Sequence, residues 1–243
     1  METAFTITTS DGHIVYGNLN QGETKSNRAL ILVHGLTGYQ YEQHYTRAVP
    51  FFVERGFDVI RFDAYCDLPH ARSLTDSSIE LQATDLNLVI DHFAPEYENL
   101  YAAGHSLGAA VILKAEQSQL ERIVLWDPTN GAPSIDDLAT KGCRYEPAID
   151  RFIFSSLGRE ILLGKTMIDS WVSASDTDTY TQLAKKPVKF IFAGKEDKKD
   201  SWVPSLVHAT VPTEYATIEG ATHGFVEEGT LEQLYEETCT WLE

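Results

Sequence analysis

Apolar residues in this chain cluster into short runs separated by polar, glycine-bearing stretches. Residues 4–9 and 13–19 flank Asp11-Gly12, a dipeptide suited to tight turns, and so predict a hairpin. Residues 29–33 form a near-continuous apolar run that stops at His34-Gly35, as a strand buried on both faces would. From 42 to 55 the apolar positions fall at helical spacing, with Tyr45, Val49, Phe52 and Val53 on one side. Pro50 predicts a kink or a late start there, and Gly56 ends the stretch. Strand and helix patterns then alternate: strand 57–62, helix 78–93, strand 99–103, helix 106–117 and strand 123–126. This rhythm predicts an α/β fold, a mostly parallel sheet with helices on both faces.

The alternation breaks at Asp127. Sixty residues, 127–186, separate two strong strand signals, too many for a plain connection. The first part is turn-rich, with Pro128, Gly131 and Pro133. Residues 151–155 and 160–163 read as a hairpin across Leu157-Gly158, and 166–172 as a short helix. The segment is expected to be an inserted cap within one domain spanning 1–243. Beyond it the rhythm resumes with strand 188–193, a helix near 202–209, strand 214–218 and a closing helix 230–242.

Charge narrows the possible partners. Nineteen basic against 36 acidic residues give a net charge of −17. Such a surface repels phosphate backbones and anionic membranes, so neither nucleic acid nor membrane is an expected partner. No apolar run approaches the ~18 residues of a membrane span. Cys66, Cys143 and Cys239 are widely spaced and odd in number, neither a disulfide framework nor a zinc pattern. With an N-terminus lacking a basic, apolar leader, this predicts a cytoplasmic protein. No metal site and no cofactor are expected.

The sharpest chemical feature is Gly104-His105-Ser106-Leu107-Gly108, between an apolar strand and a helix-favouring run. A serine on so tight a turn needs neighbours without side chains, because strand and helix close on each other. The helix N-terminus then presents its positive end to a developing oxyanion. A base and an acid follow in the order this chemistry uses: Asp197 after strand 188–193, and His223 after strand 214–218. Imidazole suits proton transfer from a serine near neutral pH, and a carboxylate holds its tautomer. Asp200, three residues on, and the adjacent Glu196 are competing carboxylates, and loop position favours Asp197 over Asp200. The oxyanion donors are expected to be the backbone N–H groups of Leu107 and of Leu36, in His34-Gly35-Leu36-Thr37-Gly38. His34 itself reads as a structural hydrogen-bonding residue. Trp126, Trp171 and Trp202 lie at strand ends or near the insertion, as core packing or as lining of an aryl or acyl pocket.

His34-Gly35, the pentapeptide 104–108, Asp197 and His223 together resemble the α/β-hydrolase superfamily over nearly the whole chain outside the insertion. The elbow and the small cap are similar to the serine aminopeptidase and monoglyceride-lipase-like branch, which includes bacterial feruloyl (cinnamoyl) esterases. Many of those relatives carry Arg-Gly-x-Gly-x-Ser after the strand equivalent to 57–62. This chain has Arg61-Phe62-Asp63-Ala64-Tyr65-Cys66 instead. The resemblance implies an α/β-hydrolase fold and a serine hydrolase that cleaves a small-molecule acyl or aryl ester through Ser106, Asp197 and His223. A thioesterase, acyltransferase or small-peptide hydrolase would use the same triad, and a non-catalytic binding protein could use the scaffold.

Overall fold

A computed structural model describes residues 1–132, 134–156 and 158–243. The chain opens with β1 (Glu2–Thr8) and β2 (Ile14–Asn20), paired antiparallel around Gly12, whose φ of 87° only glycine adopts without strain. β3 (Arg28–Val33) leads to α1 (Gln43–Thr46) and α2 (Ala48–Glu54). The expected single helix over 42–55 is therefore two. Pro50 lies in the first turn of α2, where its missing N–H costs nothing, so it sets a late start instead of a kink.

β4 (Asp58–Asp63), α3 (Ile79–Phe93), β5 (Asn99–His105), α4 (Leu107–Lys114) and β6 (Ile123–Trp126) continue the alternation. Ser78 starts α3 by accepting the Leu81 N–H on its hydroxyl at 3.1 Å. The segment after β6 holds α5 (Ile135–Thr140), a separate antiparallel sheet of β7 (Cys143–Glu146), β8 (Arg151–Ser156) and β9 (Arg159–Leu163), then α6 (Lys165–Ser173) and α7 (Thr177–Gln182). The expected hairpin and helix lie within this set. Two residues of the expected turns, Pro133 and Leu157, lie outside the described residues. β10 (Val188–Ala193), α8 (Lys198–Ser205), β11 (Thr213–Ile218) and α9 (Thr230–Leu242) complete the chain. α8 begins four residues before the helix expected at 202, with consequences for the site.

The main sheet has eight strands in the order β1-β2-β4-β3-β5-β6-β10-β11. Only β2 runs against the others. Side chains alternate between two cores. Ala29, Ile31 and Val33 face α3, α4 and the β6–β10 segment, while Leu30 and Leu32 face α1, α2 and α9. The strands are apolar on both faces because helices cover both.

The amino-terminal hairpin is tied to the body by Arg72. Its Nε and Nη2 donate to both oxygens of Asp85 in α3, at 2.8 and 3.1 Å, and its Nη1 donates to Asp11 at 3.1 Å. Arg72 and Asp85 are both buried, so each needs the other.

β3 sends the chain to β4 on one side of itself, while β5 lies on the other. The carboxyl ends of β3 and β5 thus flank the point where the winding reverses, the place where open α/β sheets bind ligands.

Candidate active site

The elbow has the geometry its glycines require. Ser106 has φ 55° and ψ −116°, a strained backbone for a residue with a side chain. A Cβ at Gly104 would stand 2.6 Å from the Gly108 carbonyl carbon, and one at Gly108 would collide with the Val33 carbonyl oxygen. Strand, turn and helix can close around Ser106 only with both side chains absent. Gly35 lies against the same turn: a Cβ there would be 3.0 Å from Ser106 Cβ. This apposition brings the loop after β3 beside the serine. Among the described residues, neither the Leu36 nor the Leu107 N–H has a protein acceptor.

His223, in the loop after β11, places Nε2 2.9 Å from Ser106 Oγ. Its backbone is held from two sides. The His223 N–H donates to Glu196 Oε1 at 3.0 Å, and its carbonyl accepts from His105 Nε2 at 2.8 Å. The ring of His105 lies 4.5 Å from that of His223, and burial pulls the His105 pKa well below that of a free imidazole. A neutral His105 with its proton on Nε2 fits that bond.

The structure does not place the expected carboxylate on His223. Asp197 is exposed, with no hydrogen bond to that ring, and Asp200 is exposed as well. Asp127, the first residue after β6, brings Oδ2 to 2.5 Å from His223 Nδ1. Asp127 is fully buried. Its backbone N–H donates to the Ile191 carbonyl at 2.7 Å, and its Oδ1 accepts from the Ala193 N–H at 3.1 Å. Burial would raise its pKa, but the bond from His223 and the Lys198 charge outweigh it, and the net direction is down. The carboxylate therefore stays ionised.

The start of α8 explains why Asp127, not Asp197, lies against His223. The helix begins at Lys198, directly after Asp197, so Asp197 takes the position preceding the helix and faces solvent. Lys198 instead reaches inward, with Nζ 2.5 Å from Asp127 Oδ2 and 2.5 Å from His223 Nδ1. Asp127 had a legible signal: it directly follows an apolar strand, as Asp197 and His223 follow theirs a few residues on. Lys198 had none.

His34 has the structural role its position suggested. Its Nε2 accepts from the Ala64 N–H at 3.0 Å and its Nδ1 donates to the Gly35 carbonyl at 2.9 Å, linking the ends of β3 and β4. Trp126 and Trp202 are core residues with their N–H groups spent internally, on Thr238 Oγ1 at 2.9 Å and the Thr129 carbonyl at 3.2 Å. Trp171 of α6 donates to Thr129 Oγ1 at 3.2 Å. Thr129 in turn donates its N–H to the Ser106 carbonyl at 3.1 Å. The pocket-lining reading therefore fails for Trp126 and Trp202. Behind the loop after β3, burial pushes the Glu42 carboxyl up to about 7 and the neighbouring His44 down to about 3.

A family model described as "Alpha/beta hydrolase family" matches residues 30–236. Among solved structures, Est1E from Butyrivibrio proteoclasticus with bound ferulic acid superposes at TM-score 0.77 and 20% identity, over 98% of this chain and 97% of that one. An esterase domain from a Rhodothermus marinus protein gives 0.72 at 15% identity, over 99% and 97% of the two chains. Dienelactone hydrolase from Anabaena variabilis gives 0.69 at 15% identity, over 99% and 96%. Likeness at these identities is likeness of fold. No curated protein matches the chain by sequence.

Proposed function

Because this chain belongs to the alpha/beta hydrolase family, we propose that it is a carboxylic ester hydrolase working through an acyl-enzyme on Ser106. The observation that carries the reading is the continuous relay from Ser106 Oγ to His223 Nε2 at 2.9 Å and from His223 Nδ1 to Asp127 Oδ2 at 2.5 Å. In this reading Asp127 is the acid, not Asp197.

Ser106 Oγ attacks the ester carbonyl carbon as its proton passes to His223 Nε2. The carbonyl π pair moves onto oxygen, and the N–H groups of Leu36 and Leu107 receive that charge. Collapse breaks the bond to the alkoxy group, which takes the proton from the imidazolium and leaves as an alcohol. Water then attacks the acyl carbon and gives a proton to His223; collapse breaks the bond from the acyl carbon to Ser106 Oγ, which takes that proton back as the acid is released. Asp127 keeps the proton on Nδ1 and steadies the imidazolium in both halves.

The segment 127–186 would act as a cap that selects the acyl or aryl group. Tyr145, Ile149 and Leu162 are its exposed large apolar side chains among the described residues, along with Ile135. The test is intact-protein mass spectrometry after a small fluorophosphonate, with an aryl-ester panel alongside. The expected result is one adduct and ester turnover in the wild type, and neither in Ser106→Ala. Turnover by a folded Ser106→Ala protein would end this reading.

A further inference from the structure

We propose that Lys198 restrains the base of this triad: its ammonium shares Asp127 Oδ2 with His223 and so weakens the proton transfer from Ser106. The proposal rests on the hydrolase reading above. The observation is a closed triangle. Lys198 Nζ, His223 Nδ1 and Asp127 Oδ2 stand 2.5 Å apart on every side. The Lys198 side chain is only 14% exposed, so water screens the ammonium poorly.

Two donors compete for one carboxylate oxygen. The bond from His223 Nδ1–H keeps the Nε2 lone pair facing Ser106, and it must strengthen as the ring becomes positive. An ammonium on the same oxygen cancels much of the carboxylate's field. It also places a full positive charge beside a ring that has to acquire one. Both effects oppose the imidazolium of the transition state more than the neutral resting ring, so they raise the barrier instead of tightening the resting site. A donation from Nζ to Nδ1 is also open when the ring carries its proton on Nε2. That tautomer turns an N–H toward Ser106 and cannot accept its proton.

Lys198 is not needed to position the acid. Asp127 is fixed by its own N–H on Ile191, by the Ala193 N–H on Oδ1 and by full burial. Those anchors survive removal of the ammonium. The other charged or titratable groups facing His223 are Asp127 after β6, Glu196 before α8 and His105 on β5, with His44 of α1 4.8 Å behind His105. Among the described residues, Lys198 is the cation that touches the ring.

The test compares the wild type with Lys198→Met, Lys198→Gln and Lys198→Arg, each checked for folding by circular dichroism. Two rates are read: fluorophosphonate labelling of Ser106, and kcat for an aryl ester. The neutral variants should gain on the order of tenfold in both rates with KM unchanged, and the acid limb of kcat/KM should move to higher pH. Lys198→Arg, which keeps a cation, should fall well short of that gain. Unchanged rates in both neutral variants would overturn the proposal. A fall toward the rate of an Asp127 variant would overturn it too, by making Lys198 a support for the acid. A wild type that never labels at Ser106 would remove the hydrolase reading and this restraint with it, whereas labelling without a gain removes only the restraint.

Discussion

Ser106 and Asp127 both carry left-handed backbone, with φ of 55° and 40°, at the ends of adjacent parallel strands. Such conformations cost of order 1–3 kcal/mol each and persist where surrounding bonds fix them. Here the Ser106 N–H donates to the Trp126 carbonyl at 2.9 Å, just before Asp127, so the two strained residues brace one another. If Asp127 orients His223, Asp127→Asn should lower kcat on the order of 10⁴-fold, while Ser106 stays in place. Asp197→Asn should leave kcat as it is, because that side chain faces solvent. Steady-state kinetics on the two variants decides between the carboxylates. Glu42 gives a separate prediction. Burial raises its carboxyl to about 7 against an ordinary 4.5, so the folded state holds a proton that the unfolded chain releases. Its contribution is fully present below pH 4.5 and is lost as pH rises through about 7. Glu42→Gln should flatten that fall, visible as a smaller drop in Tm between acidic and neutral buffer.

At the scale of elements, the strands were the most legible part of the sequence. Ile31, Val124 and Ile191 sit in parallel strands covered on both faces, and such strands are written as plain apolar runs. The elbow was equally legible, since Gly104 and Gly108 answer a steric need visible in five residues. The acid was not. Asp127, Asp197 and Asp200 all follow strand ends, and only the start of α8 at Lys198 decides which of them turns inward. The small sheet β7-β8-β9 was half legible, its hairpin written in alternating residues but β7 too short to announce itself. The Arg72–Asp85 pair was invisible, because its partners are 13 residues apart and meet only once α3 docks. Asp85→Ala should destabilise the fold by about 3–5 kcal/mol, since it leaves a buried guanidinium with only the exposed Asp11. Urea unfolding measures that loss directly.

Over the whole molecule, the net charge of −17 works against compactness. Adding salt from about 0.05 to 0.5 M should raise Tm by a few degrees, because screening relieves repulsion among exposed carboxylates. A Tm that falls over the same range would mean that exposed pairs such as Arg47–Glu232 and Arg55–Glu236 outweigh the repulsion. No helix among the described residues is long and apolar enough to cross a membrane.

Asp127 is both the carboxylate on His223 and the first residue of the 127–186 segment. Thr129, two residues on, is gripped by Trp171 from α6 and Trp202 from α8 and itself grips the Ser106 carbonyl. An acid on the loop after β10 would be mechanically separate from that segment. Here the carboxylate on His223 and the root of that segment are the same few residues. A ligand that levered α6 outward would pull on Thr129 and loosen the aim of the imidazole, and one that drew α6 inward would sharpen it. Fit in the segment and reactivity at the serine would then change together, through a linkage two residues long.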